Sequence, residues 1–165
     1  EEEKEPSKPR MVITGGEPML QQKRIAELLT RPEFSDWKIE IETNGTVVPV
    51  KELVERVQFN FSPKLENSGV QKERRIKPDA LDVLKTGNTY FKFVVKNESD
   101  IDEIVRDYIP LLGDFPRDRI YISPEGRDSD TLDKIRELVK DRVESEGFIL
   151  GDRLQIKKYG DKRRT

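Results

Sequence analysis

Met11-Val12-Ile13-Thr14-Gly15-Gly16-Glu17-Pro18 has the sequence of a buried strand, a two-glycine turn and the first turn of a helix. A short apolar run followed by glycine and then proline is typical of a strand that leads into a helix. Pro18 suits the first helical position, because the N–H that it lacks would have no intrahelical partner there. The stretch therefore predicts a βα unit whose turn lies at the carboxyl end of a strand.

Strand-like and helix-like segments alternate along the rest of the chain. Helical spacing of apolar residues follows Pro18, Val50 and Pro78, and again from a predicted capping box at Ser99 to a stop at Pro110. The last long helix is predicted to start at residue 129 or 130, with Leu138 among its inward residues and Gly147 as its stop. The predicted strands are residues 11–14, 38–42, 57–61, 90–95, 119–122 and 154–158. Strands separated by helices favour βαβ units and a parallel sheet.

Apolar and polar residues alternate within the strands themselves, as in Ile39-Glu40-Ile41-Glu42. Parallel strands covered by helices on both faces would be apolar almost throughout. We therefore predict an α/β fold: a partial (β/α) barrel with parallel strands, helices outside and a polar interior. An antiparallel sheet with one solvated face gives the same alternation, but the intervening helices disfavour it.

Composition limits what the chain can do. Its 165 residues suffice for one domain with a real core, and a net charge of −2 gives no general attraction to nucleic acid. No apolar run is long enough to span a membrane, so we expect a cytoplasmic protein. The chain has no cysteine and no histidine, which excludes disulfides, thiolate chemistry and Cys-ligated metal within it. We expect residues 1–10 to be a charged, mobile remnant and residues 11–165 to be the single domain.

The two-glycine turn offers groups that suit an amino-acid ligand. Glycines let a ligand approach the backbone, N–H groups at a helix start can take a carboxylate, and Glu17 can hold an ammonium group. An ordinary βα turn, with Glu17 favouring the helix dipole, explains the same residues about equally well.

Polar residues also end later strands. Glu40 and Glu42 share the polar face, and two such carboxylates are costly unless they are functional or paired, for example with Lys92. Ser62-Pro63-Lys64 and Ser123-Pro124-Glu125-Gly126 each combine a polar residue, a proline and a turn. Taken singly, each is explained by turn chemistry or by a surface lysine.

The order of these motifs is more specific than any one of them. From about residue 11 to 163 it resembles the 7-carboxy-7-deazaguanine synthase family of radical S-adenosylmethionine enzymes. The resemblance implies a carbon–nitrogen lyase that converts 6-carboxytetrahydropterin to 7-carboxy-7-deazaguanine, a precursor of queuosine and archaeosine. It also implies S-adenosylmethionine, a [4Fe–4S] cluster on a CxxxCxxC loop, and Mg²⁺ as cofactors.

The resemblance implies site residues as well. It places the substrate at Thr14, and it assigns no catalytic residue and no metal ligand to this segment. S-adenosylmethionine would contact Gly15, Gly16, Glu17, Glu42, Ser62, Pro63, Lys64, Ser123, Pro124, Glu125 and Gly126.

The family's cluster loop, first strand and Mg²⁺ ligand have no counterpart in this sequence. We therefore expect an N-terminally truncated fragment, inactive alone, with residues 11–14 as an exposed edge strand that could pair in a homodimer. Two alternatives stay open. One is a non-catalytic module that binds S-adenosylmethionine and the pterin, or a subunit of a split enzyme. The other is a relative of the glycyl-radical activating enzymes.

Overall fold

In a computed structural model, which describes residues 8–151, six parallel strands form one sheet in strict chain order. Each of the two outer strands of this sheet, as described, pairs with one neighbour, so the sheet is open. The predicted α/β fold with a parallel, partial barrel is confirmed, and the antiparallel alternative is wrong. The strands are β1 Arg10–Ile13, β2 Lys38–Thr43, β3 Gln58–Phe61, β4 Asn88–Val95, β5 Ile120–Pro124 and β6 Ile149–Leu150.

Helices lie between successive strands. The first follows a 3₁₀ turn, Pro18–Gln21, that has proline at its start as predicted. The α-helices are α1 Gln22–Leu29, α2 Lys51–Arg56, α3 Lys72–Arg75, α4 Pro78–Leu84, α5 Glu98–Glu103, α6 Ile109–Leu112 and α7 Ser129–Ser145.

The pairing register keeps apolar residues on one face and polar residues on the other. Ile41 pairs with Phe59, and Glu42 pairs with Asn60 on the opposite face. The apolar face forms the core, in which Phe91 lies 4.9 Å from the rings of both Phe61 and Phe115 in edge-to-face contacts. Burying each such ring contributes about 2–3 kcal/mol. The polar residues of successive strands therefore share one side of the sheet, as the alternation predicts.

Pro110 does not end its helix as predicted. Helix α5 continues through the π-helical turn Ile104–Tyr108 into α6, and Pro110 lies in the first turn of α6. The N–H of Ile109 bonds to the carbonyl of Ile104, and this wider turn lets the chain continue past proline. The helix ends instead at Gly113, whose φ is +58°.

Helix α7 begins at Ser129 as predicted, whereas the cap predicted for α5 at Ser99 is displaced. Asn97, not Ser99, caps α5 by accepting the N–H of Asp100 at 3.2 Å, and Asp128 caps α7 by accepting the N–H of Thr131 at 2.8 Å. In both cases the capping side chain reaches an N–H three residues ahead, which a count from the first apolar residue does not locate.

Three further predictions differ from the described structure or lie outside it. Leu138 is 54% exposed rather than inward. The strand predicted at residues 154–158 lies outside the described residues, whereas β6 was not predicted. The N-terminal remnant is described only from residue 8, and Arg10 already belongs to β1. Within residues 8–151, no helix is both long and apolar enough to cross a membrane.

Arg56, at the end of α2, holds the segment between α1 and β2 in place by hydrogen bonds. Its Nη2 donates to the carbonyl of Phe34 at 2.6 Å and to that of Trp37 at 3.1 Å. A planar guanidinium can satisfy several carbonyls at once, so a single side chain holds this loop at the amino end of the sheet.

Candidate functional site

The glycine turn, residues 14–18, follows β1 at the carboxyl edge of the sheet. Gly15 has a φ of +95° and Gly16 a φ of +58°, conformations that side chains beyond glycine rarely adopt. A Cβ built at either position would meet nothing within 4 Å. Backbone conformation therefore demands glycine here, and the turn presents bare backbone to open space.

Glu17 holds this turn to the end of β2. Its Oε1 accepts the hydroxyl of Thr43 at 2.7 Å and the N–H of Met19 at 3.0 Å, and its Oε2 accepts the N–H of Asn44 at 2.8 Å. The carboxylate is thus bonded on both oxygens by its own chain. The N–H of Met19, which the sequence offered to a ligand's carboxylate, already has Glu17 as its partner.

The two carboxylates of β2 have different partners. Glu42 is exposed and accepts the hydroxyl of Thr14 at 2.7 Å, which brings two predicted ligand residues together. Glu40 is buried, forms an ion pair with Arg10 at 3.0 Å and accepts the side-chain amide of Asn60 at 2.9 Å. The structure therefore pairs Glu40 with Arg10, where the sequence suggested Lys92.

The turn after β2 packs tightly against the core. Gly45 has a φ of +70°, and a Cβ there would overlap the ring of Phe61. Both the backbone conformation and the space demand glycine at this position.

Ser62, Pro63 and Lys64 begin the rim loop, residues 62–77. The N–H of Ser62 donates to the carbonyl of Thr43 at 2.8 Å, and its hydroxyl donates to the carbonyl of Lys92 at 3.2 Å. These bonds place the start of the rim loop between β2 and β4. A cavity of about 270 Å³ opens here, lined by Ser62, Pro63, Lys64, Leu65, Asn67, Ser68, Val94 and Glu125.

The residues after β5 divide into two groups. Glu125 lines this cavity, and its N–H donates to the carbonyl of Val95 at 2.8 Å. Ser123, Pro124 and Gly126 are buried and do not line it; a Cβ on Gly126 would lie 3.0 Å from the side chain of Leu132. The hydroxyl of Ser123 has no hydrogen-bond partner within the described part of the chain.

Sequence reasoning missed the group that holds the rim loop. Arg75 and Glu103 form an ion pair at 2.5 Å, with side chains 5% and 4% exposed. Glu103 also accepts the N–H of Glu66 at 2.9 Å, and the hydroxyl of Tyr108 donates to the carbonyl of Lys64 at 2.7 Å. Helical spacing places Tyr108 on the same face as Ile101 and Ile104, but nothing in the pattern distinguishes Arg75 or Glu103 from surface charges.

Protonation in this group follows from burial and charge. Burial raises the pKa of Tyr108 to about 12, so its hydroxyl stays protonated at neutral pH. The hydrogen bond from Arg106, together with Lys72, lowers the pKa of the Asp107 carboxyl below its usual value.

The site therefore has two parts that share the carboxyl edge. Thr14, Glu17 and Glu42 form one, the cavity at Ser62–Lys64 and Glu125 forms the other, and the bond from Ser62 to Thr43 joins them. Hydroxyls, carboxylates, a lysine and bare backbone suit a polar ligand with both charges. Among residues 8–151, no three acidic side chains group closely enough to hold a metal ion.

Comparison with known proteins gives relatives of one kind. No family model matches the chain. It is 32% identical over 154 residues, 93% of its length, to the 7-carboxy-7-deazaguanine synthase of Pyrobaculum aerophilum. It is 37% identical over 117 residues to the synthase of Hyperthermus butylicus, and 30% identical over 171 residues to that of Rhodopirellula baltica. The chain spans 66%, 48% and 63% of these relatives, respectively.

Solved structures give the same picture. The crystal structure of QueE from Escherichia coli matches 87% of this chain, with a TM-score of 0.57 and 25% identity, and the match covers 56% of that protein. Streptococcus suis SuiB bound to S-adenosylmethionine matches 94% of this chain with a TM-score of 0.56. At 18% identity, with 42% of SuiB covered, the second match concerns the fold alone.

Proposed function

We propose, because this chain is a relative of the 7-carboxy-7-deazaguanine synthases, that its carboxyl edge holds S-adenosylmethionine in an enzyme of that activity. The substrate would be 6-carboxytetrahydropterin, with Thr14 on its side of the site. Ligands of barrels and open parallel sheets bind at the carboxyl ends of the strands.

One observation carries this proposal: bare glycine backbone and a polar cavity lie at the same edge of one sheet. The backbone at Gly15 and Gly16 would lie against the methionine end of S-adenosylmethionine. The cavity at Ser62–Lys64 and Glu125 would take another part of the molecule. Glu17 would act chiefly by holding the turn, since both its oxygens are engaged.

The residues present do not fit an iron–sulfur cluster. Such clusters are held by cysteine thiolates, and these 165 residues contain no cysteine. Any cluster would take its thiolates from outside this sequence, so we assign no chemical step to these residues. Their proposed part is to bind and orient the cofactor.

Calorimetric titration of the chain with S-adenosylmethionine tests the proposal. We expect binding that weakens roughly tenfold in Lys64→Ala, since one charged contact is worth about that factor. Lys51→Ala is the matched control, because Lys51 is 83% exposed on α2 and pairs with Glu55. Absence of binding to the unchanged chain, or equal affinity of the two lysine variants, would overturn the proposal.

A further inference from the structure

We propose that Arg75, Glu103 and Tyr108, here called the loop lock, are positioning residues that set the affinity of the carboxyl edge for its ligand. The proposal rests on the proposed function. The hydrogen bonds of Glu103 and Tyr108 go to the backbone of the rim loop, and the rim loop supplies Ser62, Pro63 and Lys64 to the cavity.

The lock acts on the backbone of the rim loop rather than on its side chains. Tyr108 donates to the carbonyl of Lys64 at 2.7 Å, and Arg75 approaches the same carbonyl at 3.4 Å. Glu103 accepts the N–H of Glu66 at 2.9 Å. Two of the three peptide groups between Pro63 and Glu66 are thereby bonded to buried side chains. The Lys64 side chain stays exposed and free to meet a ligand.

A second contact holds the rim loop further along the chain, at Asn67. The side-chain amide of Asn67 donates to Asp100 at 2.9 Å, and Asp100 also accepts the N–H of Lys96 at 2.6 Å. Asn67 lines the cavity, and Lys96 directly follows β4. The helical segment that carries Asp100, Glu103 and Tyr108 thus holds the rim loop at Lys64, Glu66 and Asn67, although none of the three lines the cavity.

The loop lock includes two buried charges, and their desolvation lowers the stability of the folded protein. Arg75 and Glu103 are almost fully buried, and taking two charges out of water carries a large desolvation penalty that their attraction must offset. Well-packed apolar residues commonly give equal or greater stability at such a place. A buried ion pair that also bonds loop backbone is therefore better explained by a defined loop conformation than by stability.

Two measurements test the proposal: backbone hydrogen exchange reports on the conformation of the rim loop, and titration with S-adenosylmethionine reports on ligand affinity. In Glu103→Gln and Tyr108→Phe we expect backbone amides of residues 64–70 to exchange about tenfold faster, while amides of β4 stay protected. S-adenosylmethionine affinity should fall by a similar factor, because binding must then also order the loop. Glu55→Gln is the matched control, since Glu55 is 65% exposed in its pair with Lys51.

A double variant keeps the test decisive if single changes unfold the protein. Arg75→Met with Glu103→Leu removes both charges together, so we expect near-native melting but fast exchange at residues 64–70 and weak binding. Slow exchange there in a folded variant would overturn the lock. Fast exchange with unchanged affinity would overturn its effect on binding. If the unchanged chain fails to bind, the proposed function and the affinity effect both fall, while exchange still reports on the loop.

Discussion

The glycine turn and the rim loop lie at the same edge of the sheet, but different interactions hold them. The glycine turn follows β1, at one end of the sheet as described, and a half-buried carboxylate ties it to β2. The rim loop follows a central strand and is held by a buried ion pair and a buried hydroxyl. Glycine conformation and one half-buried carboxylate hold the short turn, whereas the longer polar loop is held by buried groups that bond its backbone and leave the Lys64 side chain exposed.

The largest expected effect comes from breaking the ion pair on the rim-loop side. Arg75→Met alone leaves Glu103 as an uncompensated buried charge, so we expect the free energy of unfolding to fall by about 3–5 kcal/mol. Adding Glu103→Leu should recover most of that loss. Urea unfolding followed by circular dichroism measures both, and a double variant no more stable than the single one would contradict the explanation.

Two glycines with similar φ values give the next comparison: Gly45 in the turn after β2 and Gly69 in the rim loop. Gly45→Ala forces a side chain into a φ of +70° and against Phe61, for an expected loss of about 3 kcal/mol. Gly69→Ala in the rim loop has a similar φ of +74° but open space around it. We expect it to lose only about 1 kcal/mol, from backbone strain. Thermal unfolding of the pair measures the difference, and equal losses would show that packing against Phe61 has no effect.

Glu17 and Glu42, the two carboxylates near the glycine turn, differ in burial and in the number of hydrogen bonds that they accept. Glu17→Gln weakens three accepted bonds at a half-buried site, so we expect a loss of about 2 kcal/mol. Glu42→Gln affects one exposed bond, from Thr14, and should cost about 0.5 kcal/mol. Chemical unfolding at neutral pH measures both losses. A larger loss of stability in Glu42→Gln than in Glu17→Gln would contradict the conclusion that Glu17 is the main contact that holds the turn.

The smallest effect is confined to acid. The pKa of Asp107 is lowered in the folded protein, chiefly by the hydrogen bond from Arg106, from a usual value of 3.8. Its stabilising contribution is therefore complete above that value and is lost as the pH falls below it. We expect Asp107→Asn to flatten the decline of stability below about pH 4, compared with the exposed control Asp82→Asn. Melting temperatures across an acid series test this, and identical slopes for both variants would contradict it.

Sequence periodicity predicted the sheet well because the two faces of each strand appear in the sequence as an alternation of apolar and polar residues. Ile39 to Glu42 alternate, and the observed pairing of Ile41 with Phe59 keeps both residues on the apolar face that this alternation predicts. The rim-loop side was not predictable in the same way. Arg75 and Glu103 lie 28 positions apart, and each, read locally, is an ordinary surface charge, Arg75 in a polar loop and Glu103 in a predicted helix. Only tertiary packing turns the two into a buried pair.

Pro110 and the caps show a second limit. Proline predicts a helix end because it lacks an N–H, but the π-helical turn before it changes which carbonyls need partners. The residue types of Ile104–Tyr108 do not indicate that this segment forms the wider, π-helical turn. The start of α7 at Ser129 was predicted, but its cap was not, since Asp128, Ser129 and Asp130 are all good capping residues and only geometry distinguishes them.

The strict chain order of the six strands makes the architecture modular. Because every described strand pairs with its immediate predecessor or successor, another βα repeat added beside β1 would break no existing ladder. Such a sheet can accept a further unit at its β1 edge while the strands that are already paired keep their geometry.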